Sequence, residues 1–222
     1  MANVRPPNSY TGAPATITIP TGTTLFRVHD KRFPADAFNP NPSHRYYGGG
    51  RFDATDDDAF PYLYTGETVD VAVSETLLRD LHPDDTGIRQ LPRSKITGRR
   101  ISAIELTADL EVVTLRSGTD LGAVAQDTWL TTCDTRDYPQ SRHWGHWIRT
   151  HAPTASGYVW RSKREPLHDA YVLFSDRIPV GAIVQTHHPS VPAGDRADFD
   201  TPRGRRDLRA RLTRYGVALA RR

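Results

Sequence analysis

The residues best suited to chemistry lie in the stretch Tyr46–Glu75. Three consecutive glycines, Gly48–Gly50, precede Arg51, and a helix start further along carries Glu75. Backbone without side chains beside a fixed guanidinium suits a segment that approaches a phosphate-bearing ligand closely. A carboxylate at the edge of an apolar helix face needs an ion-pair or hydrogen-bond partner, or it has a functional role. This stretch therefore predicts part of a nucleotide pocket, whose other walls come from the rest of the chain.

Two more polar side chains with chemical potential occur in segments that alternate with the period of a strand. Thr23–His29 alternates with period two and places Arg27 on one face of a predicted strand. An arginine there either reaches solvent from an edge strand or points at a ligand, and the pattern leaves both readings open. The second segment, GYVWRS, ends at Ser162.

Size and composition favour one loop-rich domain with additions at both ends. The chain has 222 residues, of which 37% are hydrophobic, with 17 prolines, 16 glycines and a formal net charge of +3. No apolar run approaches the ~20 residues that a membrane span needs. The N-terminus lacks the apolar centre of a signal peptide. A single cysteine, Cys133, excludes an internal disulfide and fits a reducing compartment, so we expect a cytoplasmic protein.

The predicted elements indicate an α+β fold. Strands are predicted at Thr23–His29, Tyr62–Gly66, Ile101–Leu106, Val112–Leu115, Gly157–Ser162, Ala170–Phe174 and Val180–Gln185. Helices are predicted from Thr68 to about Leu81, over Asp120–Ala125 and over Gln140–Arg149. Many short strands with two or three helices are typical of α+β domains.

Three parts follow along the chain. Residues 1–22 predict a loosely ordered arm, residues 23–185 a catalytic domain, and residues 186–222 a basic extension that ends in an amphipathic helix. The helix is predicted because apolar residues recur at helical spacing at Leu208, Leu212, Tyr215 and Leu219. Eight arginines and one acid after residue 201 also allow nucleic-acid binding, which is the less favoured alternative.

Two clusters that suggest metal ions are better explained without them. The acidic cluster Asp53, Asp56, Asp57 and Asp58 lacks the spacing of a calcium loop and predicts a solvated turn. The histidines near Cys133 are spread more widely than zinc ligands usually are. No metal is therefore predicted.

Five short motifs occur in an order that resembles the RES domain family. They are L-F-R-V, G-G-G-R-F-D, L-Y-T-G, V-S-E-T-L, and G-Y-V-W-R-S before a V-L-F strand, all between Thr23 and Asp176. The resemblance implies a fold similar to ADP-ribosyltransferases. It also implies an enzyme that destroys NAD⁺, its substrate, and a toxin held inactive by an antitoxin with a helix-turn-helix part.

The resemblance also implies the site residues. Arg27, Glu75 and Ser162 match the arginine, glutamate and serine after which the family is named, and are the predicted catalytic residues. Arg51 and Tyr64 match supporting positions of the family and are predicted to bind the ligand. Gly50 and Tyr47, which precede Arg51 in the glycine-rich stretch, are also predicted ligand-binding residues. The sequence departs from the family pattern at Val28, where some members have an aromatic residue, and at His168-Asp169, where many have an asparagine.

The acceptor of the cleavage stays open at this stage. Water would give hydrolysis, inorganic phosphate as co-substrate would give phosphorolysis, and a protein side chain would give ADP-ribosylation. Whether the chain forms a homodimer is also open. A different class of function, a non-catalytic nucleotide- or nucleic-acid-binding module, would use the basic tail but gives Glu75 no evident task.

Overall fold

The computed structural model describes residues 5–220, so the ends of the predicted arm and of the predicted C-terminal extension lie outside the described residues. The strands are β1 Thr16–Ile19, β2 Thr24–Asp30, β3 Tyr62–Gly66, β4 Arg89–Leu91, β5 Arg99–Leu106, β6 Leu110–Thr114, β7 Gly157–Arg161, β8 Asp169–Phe174, β9 Ile183–Thr186 and β10 Val217–Leu219. The α-helices are α1 Val69–Val73, α2 Gly118–Gly122, α3 Trp129–Thr132, α4 Tyr138–His151 and α5 Pro202–Thr213.

An eight-stranded mixed sheet forms the centre of the fold. Its strand order is β1-β6-β7-β8-β3-β2-β5-β9, and its neighbours are antiparallel except for β6 and β7. A second, two-stranded sheet pairs β10 with β4 in parallel. The α+β class predicted from the sequence is confirmed, because a mostly antiparallel sheet is combined with a few helices.

The sheet opens between β2 and β3. These neighbours pair at a single register position, Phe26 with Gly66, within the described part of the chain. In contrast, β2 pairs with β5 from Thr24 to Asp30. Since β3 is held along its length by β8 on its other side, β2 and β3 separate beyond their junction. That separation creates the opening of the central cleft.

Alternating side chains of β2 enter two different cores. Phe26 and Val28 pack in a cluster with α1, α5 and the C-terminal strand. Leu25, on the opposite face, packs in a cluster around β6, β8 and β9. This alternation is the period-two pattern predicted for the strand. The predicted helix over Gln140–Arg149 lies within α4, whose Trp144 is fully buried in a third, aromatic core.

The helix that carries Glu75 has an unusual shape. Thr68 caps its start by accepting a hydrogen bond from the Val71 amide, as predicted. The α-helix ends at Val73, and Ser74–Leu78 form a π-helical turn instead of continuing the predicted α-helix to about Leu81. A π-helical turn widens the backbone locally and is often found at functional sites.

Within residues 5–220, the segments near both ends of the chain differ from their predictions. Strand β1 lies in the predicted loose arm and pairs with β6 along its whole length. At the other end, α5 stops at Thr213, and Gly216 turns the chain with φ of 61° into β10. Leu219 is therefore buried in a strand and not on a helix face. Among residues 5–220, no helix is long and apolar enough to cross a membrane.

Candidate functional site

A cleft of about 320 Å³ lies where β2 and β3 separate. Its walls come from both strands, from α1 and the π-helical turn, and from the glycine loop. Its lining includes Arg27, Gly49, Gly50, Arg51, Asp53, Tyr62, Tyr64, Glu75, Arg79, Lys95, Arg99, Tyr138 and Trp160. Five of the seven predicted site residues, Arg27, Gly50, Arg51, Tyr64 and Glu75, are brought together there.

Arg27 is held by backbone on one edge of the cleft. Its Nη1 donates to the carbonyl oxygens of Ala35 at 2.8 Å and Ala37 at 2.6 Å. Burial lowers the pKa of Arg27 to about 10, and the Asp36 carboxylate partly opposes that shift. A pKa of about 10 still leaves the guanidinium charged at neutral pH. The side chain is therefore a fixed cation with donors left over for an anionic ligand.

Glu75 faces the cleft from the π-helical turn and is oriented by two donors. Ser162 Oγ donates to Glu75 Oε1 at 2.6 Å, and the Lys163 amide donates to the same oxygen at 3.1 Å. Ser162 is 1% exposed, lies just beyond β7 and is not one of the residues that line the cleft. One carboxylate oxygen of Glu75 is thus held by protein, which leaves Oε2 to face a ligand.

Arg51 is a buried cation beside Glu75. Its side chain is 4% exposed, its Nε has no hydrogen-bond partner, and Nη2 makes one long bond of 3.4 Å to the Cys133 carbonyl. The Arg51 guanidinium lies 5.2 Å from the centre of the Tyr138 ring. Burial opposes its charge, but the nearby Tyr138 and Glu75 outweigh that effect and raise the pKa of Arg51. An unsatisfied buried donor of this kind favours an anion in the cleft.

A hydrogen-bond network built on Asp53 shapes one wall of the cleft. Asp53 Oδ2 accepts from the Gly50 amide at 2.6 Å and from Ser43 Oγ at 2.5 Å, and Oδ1 accepts from the Tyr64 hydroxyl at 2.8 Å. The Tyr64 hydroxyl accepts from the Phe52 amide at 3.0 Å. Burial, assisted by Asp53, raises the pKa of Tyr64 well above its usual value.

The prediction of a solvated turn for the acidic cluster is wrong at Asp53, which is 4% exposed. Position 50 needs a glycine, because a Cβ there would come within 2.4 Å of Asp53 Oδ1 and 2.8 Å of the Tyr64 hydroxyl. With its hydroxyl committed to the wall, Tyr64 offers the ligand its ring face only.

Arg142 is a second residue that sequence reasoning missed. It is 1% exposed on α4, and its Nη1 donates to the carbonyls of Gly48 at 2.8 Å and Gly50 at 3.2 Å. Its Nη2 donates to the carbonyls of His44 at 3.0 Å and Arg45 at 3.3 Å. The only signal in the sequence was an arginine on the aromatic side of a predicted amphipathic helix. This side chain holds the glycine loop against the cleft.

Two sequence features lie outside the cleft lining. Tyr47 is 72% exposed and its ring stacks on His44 with centres 4.8 Å apart, so its part in ligand binding stays a prediction. Asp169 is one of the two residues that stand where many family members have an asparagine. It forms ion pairs with Arg116 at 3.2 Å and with Arg161 at 3.0 Å. Within residues 5–220, no group of three or more histidine, cysteine or acidic side chains could hold a metal ion.

A comparison with protein-family models agrees with the family that the motifs resemble. A family model described as the RES domain matches residues 24–207, which extends past the predicted boundary at residue 185 into α5. Among curated proteins, none matches the chain. One similar solved structure is the crystal structure of the M.tuberculosis MbcT-MbcA toxin-antitoxin complex, with 16% identity, 77% of this chain and 84% of that chain covered, and a TM-score of 0.49. Since the family model spans most of its length, the chain belongs to the RES domain family.

Proposed function

We propose that the chain is an NAD⁺-consuming enzyme that breaks the bond between nicotinamide and ribose. The observation that carries this proposal is the placement of Glu75 in a cleft with two buried or half-buried arginines. Glu75 is fixed by Ser162 at 2.6 Å, while Arg27 and Arg51 each retain unused donors. A carboxylate beside anchored cations suits a ligand with a diphosphate and a reacting ribose.

Glu75 would stabilise the transition state of this cleavage. The C1–N bond breaks with its electron pair on the ring nitrogen, so nicotinamide leaves neutral and needs no proton from an acid. Positive charge grows on the ribose, as in other glycosidic cleavages with oxocarbenium-like transition states. The free Oε2 of Glu75 can accept hydrogen bonds from the ribose hydroxyls and oppose that charge. Ser162 acts as a positioning residue through Glu75 Oε1.

The arginines and Tyr64 would hold the rest of the substrate. Arg27 and Arg51 offer guanidinium forks to the diphosphate or to an attacking inorganic phosphate. Tyr64 offers a ring face on which the nicotinamide can stack, since its hydroxyl is bound to Asp53. With water as acceptor, the new C–O bond forms as the water loses a proton to solvent. With phosphate as acceptor, an oxygen of the dianion attacks C1 of the ribose as the bond to nicotinamide breaks, and ADP-ribose-1″-phosphate results.

In the cell, we propose that the enzyme is the toxin of a toxin–antitoxin pair. Membership of the RES domain family supports this reading. A protein side chain as acceptor, giving ADP-ribosylation, is the alternative activity.

The test is incubation of purified protein with NAD⁺, with and without inorganic phosphate, followed by phosphorus NMR. Loss of NAD⁺ only with phosphate, with a new phosphomonoester signal, identifies a phosphorylase, and loss in both identifies a hydrolase. Glu75→Gln should lower the rate by about 10²–10³. The matched control is Glu111→Gln, an exposed carboxylate on β6 that binds Thr16 and Thr154. Intact NAD⁺ with folded wild-type protein in both incubations would overturn the proposal.

A further inference from the structure

Tyr138 is a cleft residue that neither the sequence motifs nor the proposed reaction uses. It begins α4, is 1% exposed and lines the cleft together with Glu75. A smaller cavity of about 10 Å³ adjoins the same part of the fold. Arg51, Glu75, Arg79 and Tyr138 border both spaces. Tyr138 therefore lies near the carboxylate that the proposed reaction places against the ribose.

The hydroxyl of Tyr138 has no hydrogen-bond partner in the described part of the chain. Buried hydroxyls in proteins are normally paired with a protein group or with water. The other two tyrosines of the cleft lining follow that rule. Tyr64 donates to Asp53 Oδ1 at 2.8 Å. The Tyr62 hydroxyl accepts from Asn39 Nδ2 at 2.8 Å. The Tyr138 hydroxyl is thus the donor among these three that a bound ligand can use.

Two guanidinium groups lie over the Tyr138 ring. The Arg51 Cζ atom is 5.2 Å from the ring centre, and the Arg79 Cζ atom is 5.3 Å from it. Arg51 Nε has no hydrogen-bond partner. Arg79 Nε lies 3.4 Å from Asp80 Oδ1 in an ion pair whose side chains are 33% and 37% exposed. Because exposed pairs of this kind are weak, Arg79 stays available to a stronger anionic partner.

The Tyr138 hydroxyl stays protonated at neutral pH. Burial raises the pKa of this tyrosine above its usual value of about 10, and the charges of Arg51 and Arg79 oppose that shift only in part. A neutral phenol can donate a hydrogen bond to an anion, whereas a phenolate has no proton to donate. Phosphate oxygens accept several charge-assisted hydrogen bonds at once, including bonds from guanidinium groups. A phosphate group therefore fits the donors around this ring.

We infer that Tyr138 is a substrate-binding residue whose hydroxyl donates a hydrogen bond to a phosphate oxygen beside Arg51 and Arg79. The phosphate belongs to the dinucleotide or to an attacking inorganic phosphate, and both present the same kind of oxygen. In the dinucleotide, the phosphate on the nicotinamide ribose is the closer one, because that ribose contacts Glu75 in the proposed reaction. The inference rests on the proposed function for the identity of the ligand, and it adds a contact from a residue outside the matched motifs.

The first test compares Tyr138→Phe with the wild-type protein. The substitution removes the hydroxyl and keeps the ring next to both guanidinium groups. Because no hydrogen bond within the protein is lost, the melting temperature should not fall. The value of kcat/KM for NAD⁺ should fall by about 10- to 100-fold, which is the loss typical of a hydrogen bond to a charged group. A lower melting temperature would instead assign the hydroxyl a structural role and overturn the inference.

Tyr171→Phe is the matched control. Tyr171 lies on β8, is 7% exposed and is not one of the residues that line the cleft. Its hydroxyl also has no hydrogen-bond partner in the part of the chain that the structure describes. The control should keep kcat/KM within about twofold of the wild-type value.

The second test needs no turnover. ADP-ribose, which keeps the diphosphate, and inorganic phosphate are titrated separately into the wild type and both variants by calorimetry. Tyr138→Phe should bind ADP-ribose at least about tenfold more weakly, and Tyr171→Phe should bind it like the wild type. A loss of affinity confined to inorganic phosphate would still support the phosphate contact and would assign it to the attacking phosphate.

Failure of the inference and failure of the proposed function give different results. Unchanged affinity of Tyr138→Phe for both ligands would overturn the inference, and NAD⁺ consumption by the wild type would then leave the proposed function standing. If the wild type consumes no NAD⁺ but binds ADP-ribose through the Tyr138 hydroxyl, the proposed reaction fails while the phosphate contact stands.

Discussion

Replacing Ser162 by alanine tests whether a residue outside the cleft acts through Glu75. The hydroxyl donates to Glu75 Oε1 at 2.6 Å, a length typical of a charge-assisted hydrogen bond. The Lys163 amide remains on the same oxygen at 3.1 Å, so the carboxylate keeps one of its two donors. Alanine therefore loosens Glu75 without removing it.

The expected loss follows from the strength of that bond. A hydrogen bond to a charged group contributes about 1.5–3 kcal/mol, and each 1.36 kcal/mol on the barrier is tenfold in rate. Ser162→Ala should therefore lower kcat for dinucleotide cleavage by about 10- to 100-fold. KM should stay within about threefold, because Ser162 does not line the cleft in which the substrate binds.

A double-mutant cycle separates a positioning role from direct contact with the substrate. Initial rates are measured for the wild type, Ser162→Ala, Glu75→Gln and the double variant. If Ser162 acts only through Glu75, the double variant should be about as slow as Glu75→Gln alone. Ser156→Ala is the matched control, since this buried hydroxyl donates to the Arg177 carbonyl at 2.9 Å away from the cleft. It should lower the melting temperature but leave kcat within about twofold.

Two results would refute the reasoning. Independent effects that multiply in the double variant would mean that Ser162 contributes by a route other than Glu75. A Ser162→Ala protein with wild-type kcat would mean that the Lys163 amide alone orients the carboxylate.

Three other predictions concern the wall of the cleft and the stability of the fold. Arg142→Met removes four hydrogen bonds to loop carbonyls and should raise KM for the dinucleotide about tenfold. KM is measured from initial rates, and an unchanged KM would contradict the positioning role of Arg142. Gly50→Ala should abolish cleavage while Gly122→Ala, whose Cβ meets nothing within 4 Å, leaves it intact; an active Gly50→Ala enzyme would show that the wall can move. Burial lowers the pKa of His29 to about 4 in the folded protein. As the pH falls below about 6.5, the imidazole is therefore protonated in the unfolded chain before it is protonated in the folded protein. The free energy of unfolding should then fall by about 3 kcal/mol between pH 6.5 and 4. His29→Gln, which can still bond Ser102, should flatten this dependence in denaturant titrations at pH 7.5 and 5, and an unchanged slope would assign it to other groups.

Sequence reasoning was sufficient where the information is local. The period-two pattern located β2 around Arg27, and a capping threonine located the start of α1. Both signals work because neighbouring residues alone decide which face a side chain takes and which amide a cap satisfies. The ordered motifs likewise identified the family that the family model matches.

Other features depend on partners far along the chain. No local propensity in Ser74–Leu78 predicts the π-helical turn that carries Glu75. The Glu75 carboxylate meets Ser162 only because β7 and β8 return to that end of the sheet. Likewise β1 and β10 are ordered by pairing with strands whose positions the local pattern does not specify. Pairing of this kind is a tertiary effect that overrides weak local preference.

The amino-acid sequence by itself determined which residues have the chemistry: two arginines, a glutamate and a serine in a recognisable order. Only the tertiary structure decided that Asp53 is a buried acceptor for the wall and that Arg142 holds the glycine loop. The physical reason is that burial and pairing depend on which groups surround a side chain. A row of aspartates or a lone arginine looks the same in sequence whether it faces water or backbone groups that need a hydrogen-bond partner.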